Sequence, residues 1–417
     1  MNVLFLVFST FLSIEEKNTG IYGDLVREFV NDGHTVYRLY PVDELNDKSE
    51  QIFKEQGQVV VKTTVGRIRG SSNMIAKGIN TVLLEPRIKA AVKKYFSRVH
   101  FDLVLYATPP ITFYSAVKYV IKRDSAMSYL MLKDIFPQGA VDLGMLSTSG
   151  PKSIIYRMFR NKEKKLYDIS DYIGCMSPAN RDYLLSHNSF VNEKKVELLP
   201  NSIKSIKVLF ADEEIKKIRI RYKIPEHKIV FVYGGNLGKP QGIPFIIELL
   251  KEVNKRKAIN SILYKAHFII VGDGSEYYKL KEYSSSDSPD NLTLIPRLEQ
   301  EEYDKVISCC DIGLIFLDYR FTIPNFPSRL LSYMQAQMPV LCFTDSVSDI
   351  GDIVVAGHFG WKGRSDDAIK GTDLIESICN HFDQNEINQM KEKSWNYLVD
   401  NYNVTKAYST IIKHSKV

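Results

Sequence analysis

Residues 230–242, VFVYGGNLGKPQG, decide the fold. An apolar run at 230–233 ends in Gly234-Gly235, and a polar turn leads into the helix-like pattern IPFIIELLKEV at 243–253. A strand that feeds a glycine turn and then opens a helix is how parallel α/β proteins bind phosphate. Gly lets backbone N–H groups approach the anion, and the helix dipole favours negative charge there. A tight turn after a strand also takes Gly for steric reasons alone, so the motif draws its weight from its position. It opens a second α/β half, and the first half begins in the same way at residue 3.

The chain has 417 residues, more than one core usually fills, so two domains of roughly 200 residues are expected. A hydrophobic content of 44% with 25% charged residues is that of an ordinary soluble globular protein. No apolar run approaches the roughly 18 residues of a spanning helix. The opening MNVLFLVFSTFLSI lacks a basic leader and a small-residue cleavage site, so it reads as a buried first strand, not a signal peptide. The five cysteines (Cys175, Cys309, Cys310, Cys342 and Cys379) include no C-x-x-C pair. They read as reduced thiols in the core of a cytosolic protein.

The net charge of +6 is unevenly placed. Residues 1–205 hold 28 Lys and Arg against 21 Asp and Glu, whereas residues 206–417 hold 27 against 28. Within the first half, basic and apolar residues alternate from Arg67 to Arg98 and again from Lys152 to Lys165. Such segments rest on anionic membranes or bind anionic substrates, and a solvated helix face is the competing reading of either one alone. Their confinement to one half points to a surface that meets lipid or polyphosphate. No DNA- or RNA-binding motif is present, so nucleic acid is not expected as a partner.

In the first half, strands are expected at 3–9, 35–42, 102–108 and 128–134, then in YIGCMSP and VELLP. The segment PNSIKSI at 200–206, with an irregular charged stretch to about 228, reads as a linker. The pattern restarts with strands at 229–233, 266–272, 292–296, 312–318 and 339–343. Continuous apolar strands in βαβα order indicate parallel sheets covered on both faces. The fold class is therefore α/β, with two doubly wound halves and ligand at their junction, beyond the carboxyl ends of the strands.

Four loops fall at such ends in the second half: 234–242, VGDGSE at 271–276, Pro296-Arg297-Leu298, and IPNFPSRLLSYMQAQMPVL at 323–341. Residues 325–328 are expected to cap a helix that carries Arg329 and Tyr333 one turn apart, with Pro327 suited to its first turn. Free N–H groups at this start and the Arg329 cation would together hold a diphosphate. The plainer reading is a capped helix with a solvent-facing Arg.

Taken together, these features resemble a family 4 retaining glycosyltransferase of GT-B architecture. The residues that carry the resemblance are the N-terminal glycine loop with GHTV, KDIFPQGAVDLGML at 133–146, the PNS segment, GGNLGKPQG, VGDG and NFPSRLLSYMQAQMPVL. The chain is most similar to bacterial amino-sugar transferases of capsule and O-antigen assembly, over essentially its whole length. The resemblance implies two Rossmann-like domains facing a cleft, with an acceptor-binding domain at 1–205 and a nucleotide-sugar-binding domain at 206–395. A terminal segment at 396–417 would carry a helix crossing back to the first domain. The implied reaction moves an N-acetylated amino sugar from a UDP-linked donor to a polyprenyl-diphosphate-linked saccharide. The protein would be cytoplasmic and peripherally bound to the inner face of the cell membrane.

Carried over by position, Gly235, Asn236, Leu237 and Gln241 belong to the loop that meets the donor diphosphate. Gly272, Asp273 and Gly274 join the donor set, Arg297 and Leu298 lie beside the base, and Asn325, Phe326, Pro327, Ser328, Arg329 and Tyr333 complete it. Gly20, Tyr22 and Asp134 fall on the acceptor side. Many relatives place Arg and Lys in the glycine loop where this chain has Asn236 and Gln241, which leaves Arg329 as the phosphate cation. The family's paired glutamates would fall at Pro324 and Ser332, so neither is present. The amino-sugar subgroup tends to show a Pro-Ser-basic pattern here, as at residues 327–329.

Breaking a glycosidic C–O bond puts negative charge on the leaving phosphate, where N–H groups and Arg329 would act. A front-face attack lets that phosphate accept the acceptor's proton, with Asp134 positioning the acceptor. No cofactor and no metal are expected, since Asp318-Tyr319-Arg320 lacks the second carboxylate of a D-x-D pair. Competing readings are a sugar-nucleotide epimerase of the same fold and a degenerate, non-catalytic partner protein. A redox enzyme is disfavoured because GGNLGK is not a full G-x-G-x-x-G.

Overall fold

The computed structural model describes residues 1–7, 13–16, 20–42, 52–64, 74–151, 153–257, 261–287 and 289–415. The expected end of the first strand at 8–9, the start of the first basic segment at 67–73 and Lys152 lie outside them. The chain forms two compact units, Met1–Lys204 with Asn403–Val417, and Ser205–Tyr402.

The first unit is built on strands β1 (Asn2–Leu6), β2 (Thr35–Val42), β3 (Ile52–Glu55), β4 (Gln58–Thr64), β5 (Leu103–Thr108), β6 (Met127–Leu132), β7 (Tyr172–Cys175) and β8 (Val196–Leu198). Their order is β3-β4-β2-β1-β5-β6-β7-β8, parallel except for the β3–β4 hairpin. Side chains alternate across the sheet, so Leu4 and Leu6 enter one core with Val104 and Leu130, while Val3 and Phe5 enter the other with Leu105 and Met131. Burial on both faces is why these strands read as unbroken apolar runs.

The second unit carries β9 (Ile229–Asn236), β10 (Ala266–Asp273), β11 (Leu292–Ile295), β12 (Ile312–Phe316), β13 (Val340–Thr344) and β14 (Gly360–Arg364), all parallel. Their order is β11-β10-β9-β12-β13-β14, so the sheet reverses direction between β9 and β12. That switch point is where an open parallel sheet leaves a crevice beyond its strand ends. The two glycines of the opening motif sit there.

Three expectations change. The stretch after 206 is not wholly irregular: Asp212–Tyr222 is a helix, with Asp212, Glu213 and Glu214 in its first turn and Arg219 and Arg221 in its last, which complements its dipole. The hairpin β3–β4 and the edge strand β14 add to the expected strands. The return segment also begins later than 396. Residues 396–401 finish the helix Gln384–Asn401 in the second unit, where Ser394 Oγ donates to the Met338 carbonyl at 3.1 Å. Asn403 then caps the helix Val404–Ile412 by accepting from Thr405 N at 2.9 Å, and Val404, Ala407 and Ile411 enter the first unit's core. Among the described residues no helix is long and apolar enough to cross a membrane.

Candidate functional site

The end of β9 is shaped by backbone constraints. Gly235 has φ +131°, and a Cβ at Gly272 (φ +154°) would lie 1.9 Å from the Gly235 carbonyl oxygen. Only glycine allows β9 and β10 to end this close together. The loops that follow are tied to each other, since Leu237 N donates to Asp273 O at 2.8 Å and Glu276 N donates to Leu237 O at 2.9 Å. Leu237 is itself wholly buried, so it anchors the loop and does not present itself to a ligand. Gln241 is also buried, and its Oε1 accepts from Asn236 Nδ2 and Gly238 N, both at 3.2 Å. It shapes the turn from inside. Gly235, Asn236 and Asp273 remain exposed, with Asp273 Oδ1 accepting from Gly274 N at 2.7 Å.

Arg329 opens the short helix Arg329–Gln335. Its guanidinium lies 4.1 Å from the centroid of the Tyr233 ring, a cation–π contact, and its Nη2 lies 3.2 Å from where a Cβ on Gly235 would stand. Nη1 is buried and has no hydrogen-bond partner among the described residues. Buried donors are almost always paired, so the unmatched terminal nitrogen beside a glycine-lined strand end is a donor with no acceptor among the described residues.

The helix start differs from expectation. Ser328 already has helical backbone angles and makes no side-chain cap, and Pro327 precedes the first turn. Leu330 N and Leu331 N are taken by the carbonyls of Pro327 (3.3 Å) and Ser328 (3.0 Å). Fewer N–H groups are therefore open there than the sequence led one to expect. Tyr333 is likewise not at the surface. It is wholly buried, and its hydroxyl donates towards Leu314 O (3.0 Å) or Val232 O (3.2 Å) and accepts from Gly234 N (3.3 Å). Burial raises its phenol far above the ordinary range, the Arg329 charge opposing. It fixes β9 against β12. Phe326 is also buried, packed edge-on to Tyr402 at 5.9 Å. Asn325 and Leu298 are half-buried, and Arg297 is exposed.

Other residues that hold the site were not singled out from sequence. Asn325 N donates to Ser348 Oγ at 2.9 Å, and that hydroxyl donates to Asp345 Oδ2 at 2.8 Å. Asp345 Oδ1 accepts from Ser348 N (2.7 Å) and Val347 N (2.8 Å), so a buried carboxylate beyond β13 fixes the loop before Arg329. The signal available was D-x-x-S directly after a strand. Asp318 pairs with Arg320 through two contacts of 2.8 Å. Among the described residues no group of three His, Cys, Asp or Glu side chains is placed to hold a metal ion.

On the first unit, Gly20 (φ +62°) begins the helix Gly20–Asn31, and Tyr22 lies within electrostatic reach of Asp134. Asp134 is exposed and follows Lys133 directly in the chain. Lys133 is half-buried and its ammonium is lowered by desolvation, with Nζ 3.4 Å from Leu199 O.

Residues 214–394 match the family model for glycosyl transferases group 1. The matched stretch falls within the second unit. Among curated sequences, the chain is similar to the probable glycosyltransferase WbjE of Pseudomonas aeruginosa, 26% identical over 256 residues. That match covers 60% of this chain and 59% of the relative, so the chain spans less than two thirds of the curated relative's length. Among solved structures, the E. coli trehalose-6-phosphate structure bound with UDP-2-fluoro glucose aligns with a TM-score of 0.74 at 9% identity, covering 99% of this chain and 98% of that one. WaaG, a glycosyltransferase involved in lipopolysaccharide biosynthesis, aligns with a TM-score of 0.65 at 11% identity over 99% of both chains. These likenesses establish the GT-B fold, with its two Rossmann-like parallel sheets.

Proposed function

We propose that this chain is a family 4 transferase that moves an N-acetylated amino sugar from a UDP-linked donor to a polyprenyl-diphosphate-linked saccharide. The reaction proceeds with retention, in surface polysaccharide synthesis at the cytoplasmic face of the membrane. The observation that carries the reading is Arg329, a cation with an unmatched buried nitrogen beside the glycine-lined end of β9. The UDP-2-fluoro glucose complex of the structural neighbour and the lipopolysaccharide role of WaaG support the donor and pathway classes.

In this reading the anomeric C–O bond breaks and its electron pair goes to the diphosphate. Arg329 and the exposed backbone at Gly235 and Asn236 stabilise the developing charge, which is where electrostatic stabilisation has most effect. The acceptor hydroxyl attacks from the same face and passes its proton to the leaving phosphate oxygen. Asp134 orients the acceptor. Because a side-chain cation meets the leaving group, the reaction needs no metal or cofactor.

The test is incubation with a panel of UDP- and GDP-sugars in EDTA while free nucleotide is measured. Slow release of UDP from one donor is expected. No release from any donor, with or without Mg²⁺ or Mn²⁺, would leave the partner-protein reading standing.

A further inference from the structure

The two glycines that end β9 are needed for different reasons. Gly235 has φ +131°, a backbone conformation that side chains disfavour. Gly234 pairs with Val271 as an ordinary strand residue, and its φ is not in the left-handed range. What matters at Gly234 is the missing side chain. A Cβ there would stand 2.1 Å from Tyr303 Oη, 2.2 Å from its Cε2 and 2.4 Å from its Cζ. No Cβ packs that close to a ring, so Gly234 is a socket, and Tyr303 of the helix Gln300–Ile307 fills it with the tip of its phenol.

The next residue receives Arg329, whose Nη2 lies 3.2 Å from the Cβ position of Gly235 and whose guanidinium lies 4.1 Å from the Tyr233 ring centroid. The groups that bear electrostatically on Arg329 are three tyrosines, Tyr233, Tyr333 and Tyr303, with no carboxylate among the described residues. The Tyr333 hydroxyl is committed to the backbone at Gly234 N, Val232 O and Leu314 O. The Tyr303 hydroxyl is buried and has no hydrogen-bond partner among the described residues, so hydrogen bonding does not account for a tyrosine there. A carboxylate would orient an arginine but would also neutralise it and compete with an anionic ligand. Aromatic walls hold a guanidinium by its face and leave its N–H groups and its charge available.

We infer that Tyr303, plugged into the Gly234 socket, is a positioning residue for Arg329: its ring walls the space beside the guanidinium and limits that cation to one orientation at the end of β9. The role rests on the proposed diphosphate site, whereas the socket does not depend on it. An arginine side chain is long and rotamer-rich, and ordering it in advance removes a cost that a ligand would otherwise meet on binding. Gly234 thus acts on the anion indirectly, through Tyr303 and then Arg329, and Gly235 is the glycine that admits the cation itself.

Two double-mutant cycles on the full chain test this, read by titration calorimetry with UDP and by urea unfolding. Tyr303→Leu should weaken UDP binding about tenfold in the parent but less than about twofold in Arg329→Met, because a wall has no effect once the cation is gone. Tyr303→Phe keeps the ring and should restore most of the affinity lost with leucine. Gly234→Ala should mimic Tyr303→Leu by expelling the phenol. In a Tyr303→Leu background it should add little, in UDP affinity and in urea midpoint alike. If Tyr303→Leu does not fold, Tyr303→Met takes its place in both cycles, since methionine adapts to irregular space. Equal losses from Tyr303→Leu with and without Arg329 overturn the positioning role. So does a phenylalanine variant as weak as leucine, which would make the hydroxyl a direct ligand. Additive costs of Gly234→Ala and Tyr303→Leu overturn the socket. Parental UDP affinity in Arg329→Met sinks the diphosphate reading and this role with it, whereas an additive first cycle sinks this role alone.

Discussion

Replacing Arg329 with methionine separates binding from stability. In the folded chain the guanidinium loses hydration, with Nη1 buried and unmatched, and recovers part of that loss through the Tyr233 ring at 4.1 Å. A desolvated cation–π contact contributes about 1–2 kcal/mol, and an unpaired buried donor costs about 1–3 kcal/mol. The two nearly cancel, and methionine fills similar volume without a charge. Arg329→Met should therefore change the unfolding free energy by less than about 1 kcal/mol in either direction. UDP binding is different, because there the cation gains a charge-assisted hydrogen bond. Its loss should cost about 1.5–3 kcal/mol, a 10- to 150-fold weaker Kd. Titration calorimetry with UDP and urea unfolding on the same preparation read the two quantities. Parental affinity for UDP would remove Arg329 from the site. A loss of several kcal/mol of stability would make it a structural residue.

Tyr333→Phe should show the opposite split, because the hydroxyl is buried among Gly234 N, Val232 O and Leu314 O. Stability should fall by about 1–3 kcal/mol in urea, while calorimetry on the folded variant should give nearly parental UDP affinity. A large loss of affinity without destabilisation would restore Tyr333 to the ligand surface. His267 makes a separate prediction about pH. It is buried, its Nε2 is 2.9 Å from Thr293 Oγ1, and burial, with Lys228 adding, pushes its pKa down to about 4. Because this lies below the unfolded value near 6.5, the unfolded chain takes up the proton first. Its contribution is whole above pH 6.5 and shrinks as pH falls to about 4, by about 3 kcal/mol in all. Urea unfolding of His267→Asn and the parent across that range should diverge in slope, and parallel curves would contradict the burial argument.

The buried strands were legible because both faces of each sheet are covered, which writes them as continuous apolar runs such as residues 230–233. The β3–β4 hairpin and β14 were not, since they lie at sheet edges and GWKGR is only partly buried. The helix Asp212–Tyr222 buries Ile218 alone and so shows almost no apolar periodicity. At the site, the glycines and Arg329 were visible as motif positions, but side-chain direction was not. Spacing places Tyr333 one turn from Arg329, yet only packing shows that its hydroxyl turns inward. Ser348 and Asp345 hold Asn325 from some twenty residues away, through a contact that no local pattern encodes.

Sugar transfer with retention is tested by supplying the protein with its best UDP-sugar and a polyprenyl-diphosphate-linked saccharide, then following both reactants. The acceptor should gain one sugar mass for each UDP released, and NMR of the product should show the donor's anomeric configuration retained. An acceptor of unchanged mass, with the donor recovered as its epimer, would contradict it.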